Sequence, residues 1–239
     1  MCGRFTLTSP LEALKELFGF VERPNLQPRA NIAPTQDVLV VRLGEDGERH
    51  AVSLRWGLLP PWAKDRKIGA RFINARSETV ATQSAFRKAF AARRCLIAAD
   101  GFYEWQVREA GKQPFRICRG DGAPFAFAGL WERWHDPQEP REAPAVESCT
   151  ILTTDANDLL RPIHHRMPVI LPPAAQAAWL APDAGPAALQ ALLTPLDPAG
   201  WRAYPVSPRV NKVANDDLSL LEEVEPGAAA PPPRQQSLF

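Results

Sequence analysis

Residues 95–106 constrain the fold more than any other stretch of the chain. Cys95-Leu96-Ile97-Ala98-Ala99 is an unbroken apolar run and reads as a buried strand. Asp100-Gly101 is a turn pair, and Phe102-Tyr103-Glu104-Trp105-Gln106 follows. Two-residue alternation sets Phe102, Glu104 and Gln106 on one face and Tyr103 and Trp105 on the other. Glu104 is then a carboxylate in an aromatic strand, facing a cleft or core. Burial there would raise its pKa into the range of a usable general acid or base. The bland alternative is a solvated glutamate on a strand face.

Similar strand-like runs recur at 37–42, 52–59, 115–118, 125–131, 148–154, 169–171 and 201–206. Short polar or proline-rich links between them favour antiparallel pairing. Helices are few. One starts near Ser9-Pro10-Leu11-Glu12, with Ser9 as N-cap and Glu12 completing a capping box. A second, over 84–92, turns Phe86 and Phe90 inward and Arg87, Lys88, Arg93 and Arg94 outward. A short helix begins at Asp155 and ends near Arg161, and two more lie between 173 and 193.

The chain holds 28 Lys and Arg against 27 Asp and Glu, so its net charge of +1 looks uninformative. Residues 1–120 nevertheless carry 20 basic and 12 acidic side chains, and residues 121–239 carry 8 and 15. That asymmetry predicts a basic surface built from the first half, for which nucleic acid is the common partner. The cysteines at 2, 95, 118 and 149 form no CxxC and no Cys/His pair at zinc spacing, so no metal or other cofactor is expected. Cys95, Cys118 and Cys149 sit among apolar residues and read as reduced core thiols. No signal peptide or membrane-spanning run is legible, so a soluble cytoplasmic monomer is expected, on the nucleoid when bound to DNA.

Chemistry concentrates at Met1-Cys2-Gly3-Arg4-Phe5. With Met1 removed, Cys2 carries an α-amine of pKa about 7.7–8.0 beside a thiol of about 8.5. Such a pair can capture an aldehyde through the amine and close a five-membered thiazolidine through sulfur. It can equally perform acyl transfer with its own amine as base. Further along, Trp56-Gly57-Leu58-Leu59-Pro60-Pro61-Trp62 precedes the cations of residues 64–67, a composition suited to stacking bases and pairing phosphates. Trp56 by itself is compatible with plain core. His164 and His165 stand beside Arg161 and Arg166 between stiffening prolines, which looks more like a site than a surface loop.

These blocks occur in a recognisable order: Met1–Phe5, Asn31-Ile32-Ala33-Pro34, the Trp56 block, Ile73-Asn74-Ala75-Arg76-Ser77-Glu78, Gly101–Trp105, Ile163-His164-His165-Arg166-Met167-Pro168 and Pro205-Val206-Ser207. Together they resemble the SOS response-associated peptidase (SRAP) family, whose members process abasic sites in single-stranded DNA. The resemblance spans residues 2 to roughly 217. It implies one α+β domain around a barrel-like, mostly antiparallel β-sheet with flanking helices and a positively charged DNA groove. It also implies a reaction: the Cys2 amine forms a Schiff base with the C1′ aldehyde of the opened sugar. The thiol then closes a thiazolidine, leaving a covalent DNA–protein crosslink that protects the lesion during replication. Met1 is removed beforehand by the protein's own peptidase activity.

By the same resemblance Cys2 is the nucleophile and Asn74 orients its terminus. Glu104 shuttles protons and His164 assists sugar opening. Arg4, Arg76 and Arg166 would hold phosphates, while Pro34, Trp62 and Trp105 pack on bases or sugar. His165 stands where an Asp or another polar residue is expected. The domain is expected over 2–221, with a disordered Pro/Ala-rich tail over 222–239. The tail's last residues, Gln235-Gln236-Ser237-Leu238-Phe239, resemble the peptide that docks on the bacterial sliding clamp. There Leu238 and Phe239 would fill an apolar pocket and Gln235 would bond at its rim. Two rivals remain: an N-terminal-nucleophile amidotransferase or hydrolase, and a non-catalytic reader of modified DNA.

Overall fold

The computed structural model of the protein describes residues 2–109, 111–140 and 142–226. Thirteen strands occur among them. The first half holds β1 (Phe5–Leu7), β2 (Arg29–Ile32), β3 (Asp37–Leu43), β4 (Arg49–Trp56), β5 (Asn74–Arg76), β6 (Arg94–Ala99) and β7 (Gly101–Arg108). They continue with β8 (Gly111–Arg119), β9 (Phe125–Trp134), β10 (Val146–Asp155), β11 (Arg166–Pro168), β12 (Ile170–Leu171) and β13 (Trp201–Pro205). Four short helices flank them: α1 (Leu11–Phe18), α2 (Arg87–Ala92), α3 (Pro173–Leu180) and α4 (Pro186–Ala191).

One sheet runs β13-β8-β7-β1-β2, and all its pairings are antiparallel. In the other, β10 pairs with β9 on one side and β4 on the other, which closes β10-β4-β3-β6-β9 into a five-stranded barrel. Closure leaves those strands without a free edge. The architecture is the expected single α+β domain with a barrel-like sheet. The pairing is mostly antiparallel, as expected, with β10 running parallel to β4 and β5. Barrel closure brings together strands remote in sequence, and short links constrain only consecutive ones.

The two sheets meet through aromatic rings. Phe5 of β1 stands edge-on to Trp56 at 5.1 Å and to Phe127 at 5.7 Å, and Phe102 of β7 lies 6.0 Å from Phe127. Such edge-to-face pairs contribute about 0.5–1.5 kcal/mol each beyond burial of their area. Trp56 is therefore core, fully buried. The alternation read for residues 102–105 holds: Phe102 belongs to the main core, whereas Tyr103 and Trp105 pack against Ala30, Tyr204, Val206 and Leu220.

Local departures have physical causes. Ser9 does not cap α1; Pro10 occupies that position, and the Ser9 N–H and hydroxyl both donate to Asp100 Oδ2, at 2.7 and 3.0 Å. Arg94 is buried rather than outward. Its guanidinium donates to the carbonyls of Phe90, Ala91, Trp179 and Ala181, satisfying the C-terminal ends of α2 and α3. The helix expected from Asp155 is a run of turns, because the Asn157 side chain accepts from Leu160 N and donates to the Leu196 carbonyl. Packing at the C-terminal side continues through Val224, whose N–H donates to the Pro205 carbonyl at 3.0 Å.

Asp100 does more than turn the chain. Buried to 3% exposure, it accepts from the Thr6 hydroxyl and from the backbone N–H and hydroxyl of both Thr8 and Ser9. Gly101 beside it leaves room for Arg116, whose guanidinium a Cβ would meet at 2.7 Å. This knot fixes β1 against β7 and hence the start of the chain. Replacing Asp100 with Ala is expected to cost about 2–4 kcal/mol, because several donors lose their acceptor together. Urea denaturation followed by fluorescence would measure it, and a loss below 1 kcal/mol would contradict this account.

Candidate active site

Cys2 is fully buried at the entry to β1. The register Phe5↔Phe102 and Thr6↔Gly101, continued by the Tyr103 N–H donating to the Arg4 carbonyl at 3.0 Å, runs the preceding residues beside Glu104 and Trp105. From the opposite side, Asn74 Nδ2 donates to the Cys2 carbonyl oxygen at 2.8 Å. Asn74 is held in place because β5 pairs in parallel with β10, Asn74 opposite Ile151. Asn74 Oδ1 is buried and has no donor among the described residues, an acceptor left over beside the cysteine. Cys2 Sγ makes a long contact, 3.8 Å, to the Arg4 carbonyl.

Burial pushes the Cys2 thiol up, and the neighbouring Glu104 carboxylate pushes it further the same way. Glu104 is 2% exposed, and burial raises its carboxyl above the ordinary range. Thiol and carboxyl thus sit within electrostatic range of each other, both biased towards their protonated forms.

Glu104 and His164 line one cleft of about 860 Å3, with Trp105, His165, Lys112 and Asn211 among its other walls. His164 Nδ1 lies 3.0 Å from the Arg166 backbone nitrogen and 3.1 Å from the Arg166 carbonyl oxygen, so the Arg166 backbone holds the ring in place with either tautomer. Burial lowers its pKa, so the neutral form prevails near pH 7. The His164 and His165 rings stack with centroids 4.4 Å apart. His165 is exposed on the outer side of that pair.

The structure thus brings Cys2, Asn74, Glu104 and His164 together, from the segment before β1, β5, β7 and the turn before β11. The residues expected to hold DNA divide differently. Arg76 is exposed on β5, two residues from Asn74, and Trp62 is half exposed with its ring edge-on to Phe72. Pro34 is half-buried in the turn after β2, and Trp105 donates its indole N–H to Asn211 Oδ1 at 2.7 Å. Arg4 donates to Asn31 Oδ1 at 3.0 Å and to the Val210 carbonyl at 2.7 Å, tying the 208–211 turn to β1. Arg166 is buried, paired with Glu78 at 2.6 Å and Asp155 at 2.8 Å, and donates to the Thr153 carbonyl. Both guanidiniums are committed to internal partners. Gln235, Leu238 and Phe239 lie outside the described residues.

Lys112 and Asn211 were not singled out in the sequence. Asn211 closes the loop after β13, and only its contact with Trp105 marks it as part of the cleft.

The fold recurs among solved structures. A crystal structure of a protein from Bacteroides thetaiotaomicron superposes with a TM-score of 0.84 at 24% identity, over 94% of this chain and 100% of that one. One from Bordetella bronchiseptica gives 0.73 at 31% identity, over 86% and 100%. Among sequence relatives, the abasic site processing protein YoqW of Bacillus subtilis is 43% identical over 227 residues, 93% of this chain and 99% of the relative. The abasic site processing protein YedK of Escherichia coli is 32% identical over 232 residues, 94% of this chain and 100% of its own. The model of the SOS response associated peptidase (SRAP) family matches residues 1–213. With a match of that extent, and with relatives at those identities aligned almost end to end, the chain belongs to the SRAP family.

Proposed function

We propose that this protein processes abasic sites in single-stranded DNA by forming a covalent thiazolidine through Cys2. The observation that carries the reading is the convergence of a buried Cys2, gripped at its carbonyl by Asn74, with Glu104 on a cleft also lined by His164. The relatives' names supply the substrate class.

The chemistry balances with the groups present. Hydrolysis of the Met1–Cys2 peptide bond consumes one water and frees the α-amine. That amine adds to the C1′ aldehyde, and loss of water gives the Schiff base. Sulfur then attacks the imine carbon, closing the ring as the thiol proton ends on the former imine nitrogen. Glu104, with its raised pKa, protonates the departing hydroxyl and as carboxylate takes the thiol proton. Asn74 Oδ1 is placed to accept from the freed amine. Neutral His164 offers a ring N–H to the sugar ring oxygen as the furanose opens. Arg76 and Trp62 hold the flanking strand by phosphate pairing and stacking.

The test is a denaturing gel of Met-processed protein incubated with single-stranded DNA carrying one abasic site. A band resistant to heat and detergent, with a mass equal to protein plus DNA minus one water, is the expected result. Reversible binding without that band would instead favour a reader of modified DNA, and glutamine hydrolysis an amidotransferase.

A further inference from the structure

The two arginines expected to pair with phosphates, Arg4 and Arg166, are occupied internally, yet the first half of the chain remains strongly basic. Three more of its arginines, with Arg133 from the second half, gather elsewhere. A second pocket, of about 640 Å3, is lined by Arg42, Arg55, Arg66 and Arg133 against the carboxylates of Asp37 and Glu147. We propose that this pocket binds backbone phosphates of the DNA strand that continues away from the lesion. The proposal rests on the reading of the cleft as a single-stranded-DNA site.

Three observations carry it. Charge is the first: Arg42, Arg55 and Arg133 face the carboxylates of Asp37 and Glu147, Arg66 pairs with Asp136 at 3.7 Å, and Glu147 is shared between Arg42 at 3.0 Å and Arg133 at 3.1 Å. One carboxylate cannot neutralise both. Rigidity is the second. Arg42 lies over the Trp131 ring at 4.1 Å, and Arg55 donates to the Thr35 carbonyl at 2.7 Å. Arg42 Nη1 and Arg55 Nε are buried donors without an acceptor among the described residues. Fixed cations with surplus donors suit a phosphate.

Placement is the third observation. Thr35, which Arg55 holds, follows Pro34, itself expected at the DNA. On the edge of β10, Arg55 lies next to Ser148 and Asn74 next to Ile151, three positions apart. At about 3.3 Å per residue that is roughly 10 Å measured along β10. Among the described residues its lining holds no Phe, Tyr or Trp, and with His135 as its ring it is dominated by charge, so it would read phosphates more than bases.

Arg66 and Arg133 suit a test because both side chains are more than half exposed, 55% and 61%, so their ion pairs with Asp136 and Glu147 are open to solvent on the arginine side. The Arg66→Gln/Arg133→Gln protein is titrated with undamaged single strands of about 20 and about 5 nucleotides at several salt concentrations. The expected result is about fivefold weaker binding of the long strand, with a salt slope smaller by about 0.7 per lost phosphate contact. Binding of the short strand and crosslinking to a short abasic strand stay at the parent's level. Arg76→Ala, in contrast, weakens both lengths alike. Unchanged long-strand affinity and slope, or equal loss on both lengths, would overturn the pocket assignment. A parent protein that shows the length-dependent effect but forms no crosslink would sink the crosslinking reading and leave the pocket standing. A parent that binds neither strand would overturn both.

Discussion

Cys2→Ala is expected to abolish the stable crosslink while leaving the Schiff base. The variant keeps an α-amine and loses only sulfur, so aldehyde capture proceeds to the imine and stops there. With its N-terminus exposed by a cleavable leader, the heat-stable band should fall by about two orders of magnitude or more. A band trapped by borohydride should persist, because reduction fixes the imine without needing the thiol. Retention of the stable band in Cys2→Ala would remove sulfur from the mechanism. Loss of both bands would mean that the thiol also shapes the amine's position. Full burial of Cys2 makes a melting curve necessary beside the gel, although losing one sulfur atom is a small cavity change.

Glu104→Gln should separate catalysis from stability. The amide keeps the shape but cannot exchange protons, so crosslinking is expected to slow by about 100-fold, within the range for general acid–base groups. The limb of the pH–rate profile set by Glu104 lies above the ordinary carboxylate range and should vanish in the variant. Stability should move the other way. Burial raises the folded-state pKa of Glu104 above its unfolded value. Its contribution to stability is therefore complete below the unfolded pKa and is lost as pH rises through the folded one. Glutamine has no such loss. The melting temperature of Glu104→Gln relative to the parent should rise from acidic to alkaline pH, as scanning calorimetry across that range would record. A gap independent of pH would show that Glu104 has an ordinary pKa.

The readable parts of the sequence were those governed by near neighbours. The apolar run 95–99 and the alternation 102–105 report burial directly, since a strand's sidedness has a period of two. Glu104 was legible as unusual for the same reason. Arg94 shows the limit: it adjoins half-buried Arg93, yet its carbonyl partners at 179 and 181 come from α3, out of reach of any local pattern. Arg4 and Arg166 are alike in this respect, with partners 206 and 88 residues away. The Asn157 turn was hidden because its side chain reaches across to the Leu196 carbonyl. Asn211 carried no signal beyond a place in a closing loop. The parallel pairs of β10 follow from barrel closure, which no short window contains.

β10 has one more implication. It bonds to β4 and β9 around the barrel, to β5 bearing Asn74, and to β11, which follows His164. Two groups from segments ninety residues apart in the chain therefore share one ruler, graduated by the backbone ladder. The length of the loops between them does not enter that spacing. Insertions in the surface stretch between β9 and β10, where the chain merely crosses from one barrel strand to the next, should leave the distance from Asn74 to His164 untouched. The same loops are then free to lengthen or shorten among relatives without retuning the chemistry, and they are the natural places to graft a second module onto this scaffold.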